Sequence, residues 1–297
     1  MSVCLAISSF RNDETVLALL EEALEDLAPF AEILIVDSMG TGALPAAIAA
    51  RGWSEQVFYE SSEHNLGSAG NLARRLEWAA ERDHRWVFAM NHDARVDHDV
   101  VRALVECGET VDRVGAVFPM RFKQGRQMYD LTGRQALPLP FRGSKERPTE
   151  AQYDVHWGSS NGTLYALEPV REGLSPWAEL WMGWEDLGYG WLLERHGYRQ
   201  VVLTDVEMED PYEYVQKGPV TITDKPSWYA YYQARNLVLV TRWNLQPPIY
   251  WATVAGRLGL EVCLTVALRP DKRTRLNYLA HGLFDGLRGR AGKWMVP

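Results

Sequence analysis

Trp86-Val87-Phe88-Ala89-Met90-Asn91-His92-Asp93 decides how this chain folds. The apolar run from Trp86 to Ala89 is aromatic and β-branched, and it closes on a polar corner where Asn91 and Asp93 are separated by one residue. Such a run reads as a buried strand whose carboxyl end opens onto a site. Ligands of open α/β sheets sit at the carboxyl ends of strands, where an acid can hold a metal or a polar ligand. Taken alone, the corner also fits a surface turn closed by an Asx hydrogen bond.

The flanking sequence supports the strand. Upstream, Val3-Cys4-Leu5-Ala6-Ile7, Ile33-Leu34-Ile35-Val36 and Val57-Phe58-Tyr59 are strand candidates, and residues 114–118 follow downstream. Between them, Asn12 or Asp13 can cap a helix carrying Val16, Leu19, Leu20, Ala23, Leu24 and Leu27 at helical spacing. Leu72, Leu76, Ala79 and Ala80 mark another helix. Strands alternating with helices predict a doubly wound, mostly parallel α/β sheet. Residues 123–148, rich in Arg, Gly and Pro, read as a loop or lid.

Composition limits the function. The chain has 297 residues, 46% hydrophobic and 24% charged, enough for one large or two modest domains. A net charge of −8 argues against a nucleic-acid partner. Cys4, Cys107 and Cys263 lack metal-site spacing, which excludes a Cys-based zinc site and fits a reducing compartment. No signal peptide is recognisable, so a cytoplasmic location is expected. The most apolar segment, residues 249–268, is interrupted by Arg257 and Glu261 and reads as a packed helix rather than a membrane span.

Three more segments point at the strand-end site. Asp37 follows Ile33-Leu34-Ile35-Val36 directly, where a carboxylate can accept from a nucleobase imide or a ribose hydroxyl, or close a turn. Asn65-Leu66-Gly67-Ser68-Ala69-Gly70-Asn71 opens a helix, and its glycines allow close backbone approach to an anion at the free amides. It is neither a dinucleotide fingerprint nor a P-loop. Trp181-Met182-Gly183-Trp184-Glu185-Asp186 sets paired acids among tryptophans, where burial raises a carboxyl pKa toward a useful general-base range. Glu185 reads as a solvated acid favoured by a helix start, and Asp186 as the functional one.

These segments, in this order, resemble an inverting glycosyltransferase of the GT-A fold, family 2, in the manner of bacterial rhamnosyltransferases. Ile7-Ser8-Ser9-Phe10-Arg11-Asn12 is similar to the family's first-strand loop, Ile35-Val36-Asp37-Ser38 to its base-binding corner, and Asn65-Leu66-Gly67 with Asn71 to its nucleotide-site element. Met90-Asn91-His92-Asp93 resembles the metal-binding D-x-D, Gly183-Trp184-Glu185-Asp186 with Arg195 the E-D helix, and Tyr231-Tyr232-Gln233-Ala234-Arg235-Asn236 the aromatic Arg-Asn segment. The resemblance spans about residues 1–240. It implies a GT-A domain there, with a nucleotide-binding half to about 120 and an acceptor half beyond, and a helical extension over 241–297. By the same resemblance, Ser8, Phe10, Asp37 and Ser38 surround the nucleoside, and Asn65, Gly67, Asn71 and Asn91 line the nucleotide site. Asp93 would bind Mn²⁺ or Mg²⁺, and Asp186 would act as base.

The activity so implied is transfer of a sugar from a nucleoside-diphosphate donor, UDP- or dTDP-linked, to a glycan or lipid-linked acceptor in cell-surface polysaccharide synthesis. Two departures stand out. Asn91 replaces the first acid of D-x-D, and the stretch where the family often has a metal-binding His is Asp205-Val206-Glu207-Met208-Glu209-Asp210, so Glu209 or Asp210 is an open candidate for a further ligand. A sugar-nucleotide pyrophosphorylase, or a binding protein without catalysis, are the alternatives; the former should carry a Gly-rich loop after the first strand, which Ser8-Ser9-Phe10-Arg11 lacks.

From Arg269 onward the chain has seven Lys/Arg and two Asp/Glu, a net of +5 that leaves −13 for the rest. With Ile249-Tyr250-Trp251 before it and Lys293-Trp294-Met295 at its end, this region is expected to touch a membrane surface, at the inner face of the cell membrane, or a polyanionic acceptor.

Overall fold

The computed structural model describes residues 3–25, 27–95, 97–123, 126–127, 148–209, 214–217, 220–223 and 225–294. Strand and helix alternate as the sequence predicts. The order is β1 (Val3–Ser9), α1 (Asp13–Glu25), β2 (Phe30–Ser38), α2 (Ala43–Ala50), β3 (Val57–Ser62), α3 (Gly67–Glu81), β4 (Trp86–Asn91) and α4 (His98–Thr110). Then come β5 (Val114–Lys123), β6 (Arg126–Gln127), β7 (Gln152–Asp154), β8 (Thr163–Ala166), α5 (Glu168–Arg171), α6 (Glu185–Arg195) and β9 (Arg199–Glu209). A ribbon of β10 (Tyr214–Lys217) and β11 (Val220–Thr223) precedes α7 (Tyr229–Asn244), α8 (Pro247–Leu268) and α9 (Lys272–Leu287). The loop expected over residues 123–148 lies almost wholly outside the described residues.

The main sheet runs β3-β2-β1-β4-β8-β5-β9-β7, with β6 paired to β5. Strands β3, β2, β1 and β4 are parallel, and so are β5 and β9; β8 is inserted antiparallel between the two sets. Both faces are covered, so successive residues of one strand enter different cores. Leu5 and Ile7 pack with Val16, Leu20, Val101 and Leu104 on the side of α1 and α4. Cys4 and Ala6 pack with Leu72, Leu76, Tyr189 and Leu193 on the side of α3 and α6.

Because β1, β2 and β4 are parallel and in register, their carboxyl ends meet at one edge. Ser8 pairs with Asn91, and Ser9 with Asp37. One buried cation ties this edge to the helix layer. The Arg75 guanidinium donates to the carbonyls of Ala6 (3.0 Å) and Met90 (2.9 Å), across β1 and β4.

At the other end of the chain, α7 crosses the boundary expected at about residue 240 and packs on α9. Gly282 and Gly286 make the close approach: a Cβ at Gly282 would stand 2.1 Å from the Tyr231 carbonyl oxygen. The expectation for α8 is corrected in part. It is a helix, but only one stripe of it, through Tyr250, Val254 and Thr265, is buried; Ile249, Trp251, Val262 and Val266 are exposed. Neighbours α7 and α9 cover one side, and nothing among the described residues covers the rest.

Candidate active site

A cleft of about 660 Å³ opens at the shared carboxyl edge of β1, β2 and β4. Ser8, Phe10, Ser38, Asn65, Gly67, Asn71, Asn91, Asp93 and Asp186 all line it, so nine of the ten expected site residues converge there. Asp37 is the exception. It is fully buried under Gly40 at the end of β2, with its Oδ2 accepting from the Tyr59 hydroxyl at 2.8 Å and its Oδ1 without a partner.

The corner after β4 is held from three sides. Ser8 Oγ donates to Asn91 Oδ1 at 2.9 Å, and the Asn91 amide donates to Asn161 Oδ1 at 2.9 Å. The His92 ring lies 3.1 Å from the Ser8 carbonyl through Nδ1 and 2.6 Å from Asn12 Nδ2 through Nε2. Asp93, which follows, is exposed in the cleft and makes no hydrogen bond among the described residues. The side chains around it are thereby fixed while its carboxylate stays free for a ligand.

Asn65 and Asn71 have structural partners. Asn65 Oδ1 accepts from the Gly67 amide at 2.9 Å, an Asx turn that starts α3. Gly67 has φ +68°, and a Cβ there would lie 1.9 Å from the Trp181 carbonyl oxygen. That carbonyl instead accepts from the Ala69 amide at 3.2 Å, and the Trp181 indole donates to the Asn65 carbonyl at 3.0 Å. Asn71 donates to the Val36 carbonyl at 2.9 Å, bracing the end of β2. The loop from Asn65 to Asn71 is therefore clamped to the segment that carries the paired acids.

That segment, Trp181-Met182-Gly183-Trp184, turns through three left-handed residues, Trp181 (φ 60°), Gly183 (φ 82°) and Trp184 (φ 66°). Non-glycine residues hold such φ values only where the surroundings over-determine them. Here the surroundings are the Arg-Asn pair of α7. The Asn236 amide nitrogen lies 2.8, 2.8 and 2.9 Å from the carbonyls of Leu180, Met182 and Gly183, and Arg235 donates to the Leu180 carbonyl at 2.7 Å. The Trp184 indole donates to the Gln233 carbonyl at 2.9 Å.

The turn delivers Glu185 and Asp186 at the start of α6, into the cleft. Contrary to the sequence expectation, Glu185 is not solvated: it is 9% exposed, with Oε2 unpartnered. Tryptophans cover a helix start that would otherwise face water. Burial raises its pKa. Asp186 accepts from the Ser160 amide at 3.1 Å. Burial first, and then the neighbouring Glu185 charge, push its pKa up to about 7.

Several residues of this site were not singled out from sequence. Ser159, Ser160 and Asn161 reach it from the loop before β8; Gly158-Ser159-Ser160-Asn161-Gly162 is a legible loop signal, but nothing local says where that loop points. Arg11 lines the cleft mouth with its guanidinium 5.1 Å over Phe10. Lys293 enters from the C-terminal segment. Trp294 beside it stacks on Tyr231 (4.3 Å between centroids, 21°), the Gly292 amide donates to the Glu179 carbonyl at 2.6 Å, and the Lys293 ammonium lies 5.9 Å from the Trp181 ring. Lys293 lines the cleft, while Trp294 beside it is 42% exposed and off the lining.

Among the described residues no group of three or more His, Cys, Asp or Glu could by itself hold a metal ion. Glu209 is exposed at the end of β9 and off the cleft, and Asp210 lies outside the described residues. His196 ends α6 with its Nδ1 2.9 Å from the Leu192 carbonyl, a helix-end contact.

Neither a protein-family model nor a curated protein matches the sequence. Solved structures do match. TarS residues 1–349 of S. aureus superposes with a TM-score of 0.60 at 11% identity, over 98% of this chain and 82% of that one. The mannosyltransferase PcManGT of Pyrobaculum calidifontis, in complex with GDP-Man and Mn²⁺, gives 0.58 at 16% identity, over 97% and 87%. GalNAc-T7 with UDP, GalNAc and Mn²⁺ gives 0.62 at 14%, over 97% of this chain and 56% of that one. The chain has the GT-A fold, as the sequence led us to expect.

Proposed function

We propose that this protein is an inverting, metal-dependent glycosyltransferase of the family 2 kind, moving a sugar from a nucleoside-diphosphate donor to an acceptor hydroxyl in cell-surface glycan synthesis. The observation that carries this is the pairing, in one cleft on a GT-A frame, of a free carboxylate at the β4 corner with two carboxylates at the start of α6, Glu185 buried and Asp186 half-buried. Solved structures of the same fold hold UDP, UDP-GlcNAc or GDP-Man, two of the three quoted relatives with Mn²⁺.

The donor set fits a divalent cation shared with the substrate. Asp93 offers a hard carboxylate oxygen, and Asn91 sits beside it; Mg²⁺ and Mn²⁺ commonly take one or two protein carboxylates and complete their shell with phosphate and water. When bound, such a cation neutralises the charge of the departing diphosphate. Arg11 and Lys293 add positive charge to the lining of the same cleft. Asp186 removes the proton of the acceptor hydroxyl as that oxygen attacks the anomeric carbon; the bond from that carbon to the phosphate oxygen breaks, and its electron pair leaves on the diphosphate. The Ser160 amide holds Asp186 Oδ1 and so fixes the carboxylate in the cleft wall, where it can take that proton.

Thermal shift with UDP, dTDP and GDP sugars, each with and without Mn²⁺ or Mg²⁺, tests the donor class. A ligand at about 100 times its Kd stabilises the folded state by about 2.7 kcal/mol, so the right nucleotide stands out. Absence of any metal-dependent shift would overturn the proposal. Calorimetric titration of the matching diphosphate should further show that Asp93→Ala loses the Mn²⁺-dependent part of the affinity, about tenfold or more. Lys293→Ala should weaken diphosphate binding about fivefold without altering that metal dependence, since an exposed ammonium contributes a screened contact.

A further inference from the structure

Away from the cleft, α8 carries an outward apolar face. Twenty-two residues long, about 33 Å, it is long and apolar enough to cross a membrane, yet one stripe of it packs on α7 and α9. Tyr250 and Val254 join Val238 in that packing, while Ile249 (46% exposed), Trp251 (53%), Val262 (40%) and Val266 (49%) face outward. Trp243, Phe284 and Leu287 on the neighbouring helices are exposed as well. A helix apolar all round normally has every side covered, so an outward face of this composition implies an absent partner.

The rim identifies the partner. Exposed Arg242 and Arg288 stand near the amino end of α8, where Arg242 donates to the Leu287 carbonyl, and exposed Lys272 and Arg273 follow its carboxyl end. No acid among the described residues pairs with any of these four. Residues 242–297 hold nine Lys/Arg and three Asp/Glu, against a chain net of −8. In a twofold contact with a second copy, cationic rim would meet cationic rim whichever way the helices ran, because both ends of α8 are basic. An anionic bilayer answers both features, its headgroups the rim and its acyl boundary the apolar face.

We infer that α8 and its basic ends dock the protein along an anionic membrane surface, helix in plane. The placement has a functional corollary that rests on the glycosyltransferase reading. Arg257 of α8 lies 5.7 Å over the ring of Trp184, the residue immediately before Glu185 and Asp186. The docked helix thus touches the turn that carries the acid pair, which suits an acceptor hydroxyl carried on a lipid.

The test needs no donor or acceptor. The full chain is sedimented with phosphatidylcholine vesicles, with or without phosphatidylglycerol, at low and high salt. It should pellet with the anionic vesicles at low salt and release at high salt. Ile249→Glu with Trp251→Glu should cut the bound fraction about tenfold, since an inserted apolar pair becomes charge. Lys272→Glu with Arg273→Glu should cut binding mainly at low salt. Circular dichroism and nucleotide-dependent thermal shift verify that each variant folds, and Trp251→Ala replaces the double variant if it does not. Equal binding by wild type and variants, no vesicle binding at all, or a dimer by light scattering that the α8 substitutions dissolve, would each overturn the inference. Nucleotide binding that persists through such a failure would leave the donor-site reading intact.

Discussion

Asp186→Asn should lower sugar transfer by about 10²–10⁴-fold, roughly 3–5 kcal/mol of barrier, while nucleotide binding changes little. The amide keeps the shape and can still accept from Ser160, but it cannot take the acceptor proton. Because the Asp186 pKa is raised to about 7, the wild-type rate should climb with pH through that region as the carboxylate forms, and the climb should vanish from the residual activity of the variant. The stability effect has the opposite sign. A carboxyl whose pKa is higher folded than unfolded costs stability as pH rises from its unfolded pKa through its folded one. Asp186→Asn should therefore melt higher than wild type above pH 7 and show little difference at acid pH. Glu185→Gln, which removes the neighbouring charge, should shift the wild-type pH climb to lower pH and cost less activity. Transfer at the wild-type rate in Asp186→Asn, or a larger loss in Glu185→Gln, would take the base role away from Asp186.

Periodicity revealed the frame because each strand of a two-sided sheet is apolar throughout and each helix shows one apolar face. The strand-end positions 37, 91 and 93 followed from that frame alone. Arg75 was also within reach: it falls on the same helical face as Leu72, Leu76 and Ala79, where a charge must find buried partners, and it finds the Ala6 and Met90 carbonyls. Glu185 was misread for a physical reason. A helix start favours an acid whether or not it is solvated, and only the tertiary turn of tryptophans decides which. Ser160, Asn161 and Lys293 were out of reach, since their place depends on where loops and a tail return in space. The exposed face of α8 was hidden for the same cause, because an apolar run does not say what will cover it.

The Arg-Asn pair of α7 was visible as a motif and given no role; its geometry assigns one and predicts a large effect. Asn236 is fully buried and lies within hydrogen-bond distance of the carbonyls of Leu180, Met182 and Gly183, in the turn whose left-handed residues aim Glu185 and Asp186. Asn236→Leu, of similar size, strands the Met182 and Gly183 carbonyls, while Leu180 keeps Arg235 and the Met182 amide as donors, and it also removes the acceptor of the Arg235 Nε–H. Each stranded group costs about 1–3 kcal/mol, so with partial relaxation roughly 3–5 kcal/mol of stability should go, a fall of roughly 5–10 °C in Tm. Catalysis should suffer separately. Asn236 touches none of the strand ends that form the donor corner, so donor affinity should hold near wild type while kcat falls by about tenfold or more. Asn236 is thus a positioning residue, and the split between kcat and donor affinity, measured well below the variant's melting temperature, distinguishes that from general loosening. If donor affinity and kcat fell together, or if Tm did not move, the turn would be held by something other than Asn236.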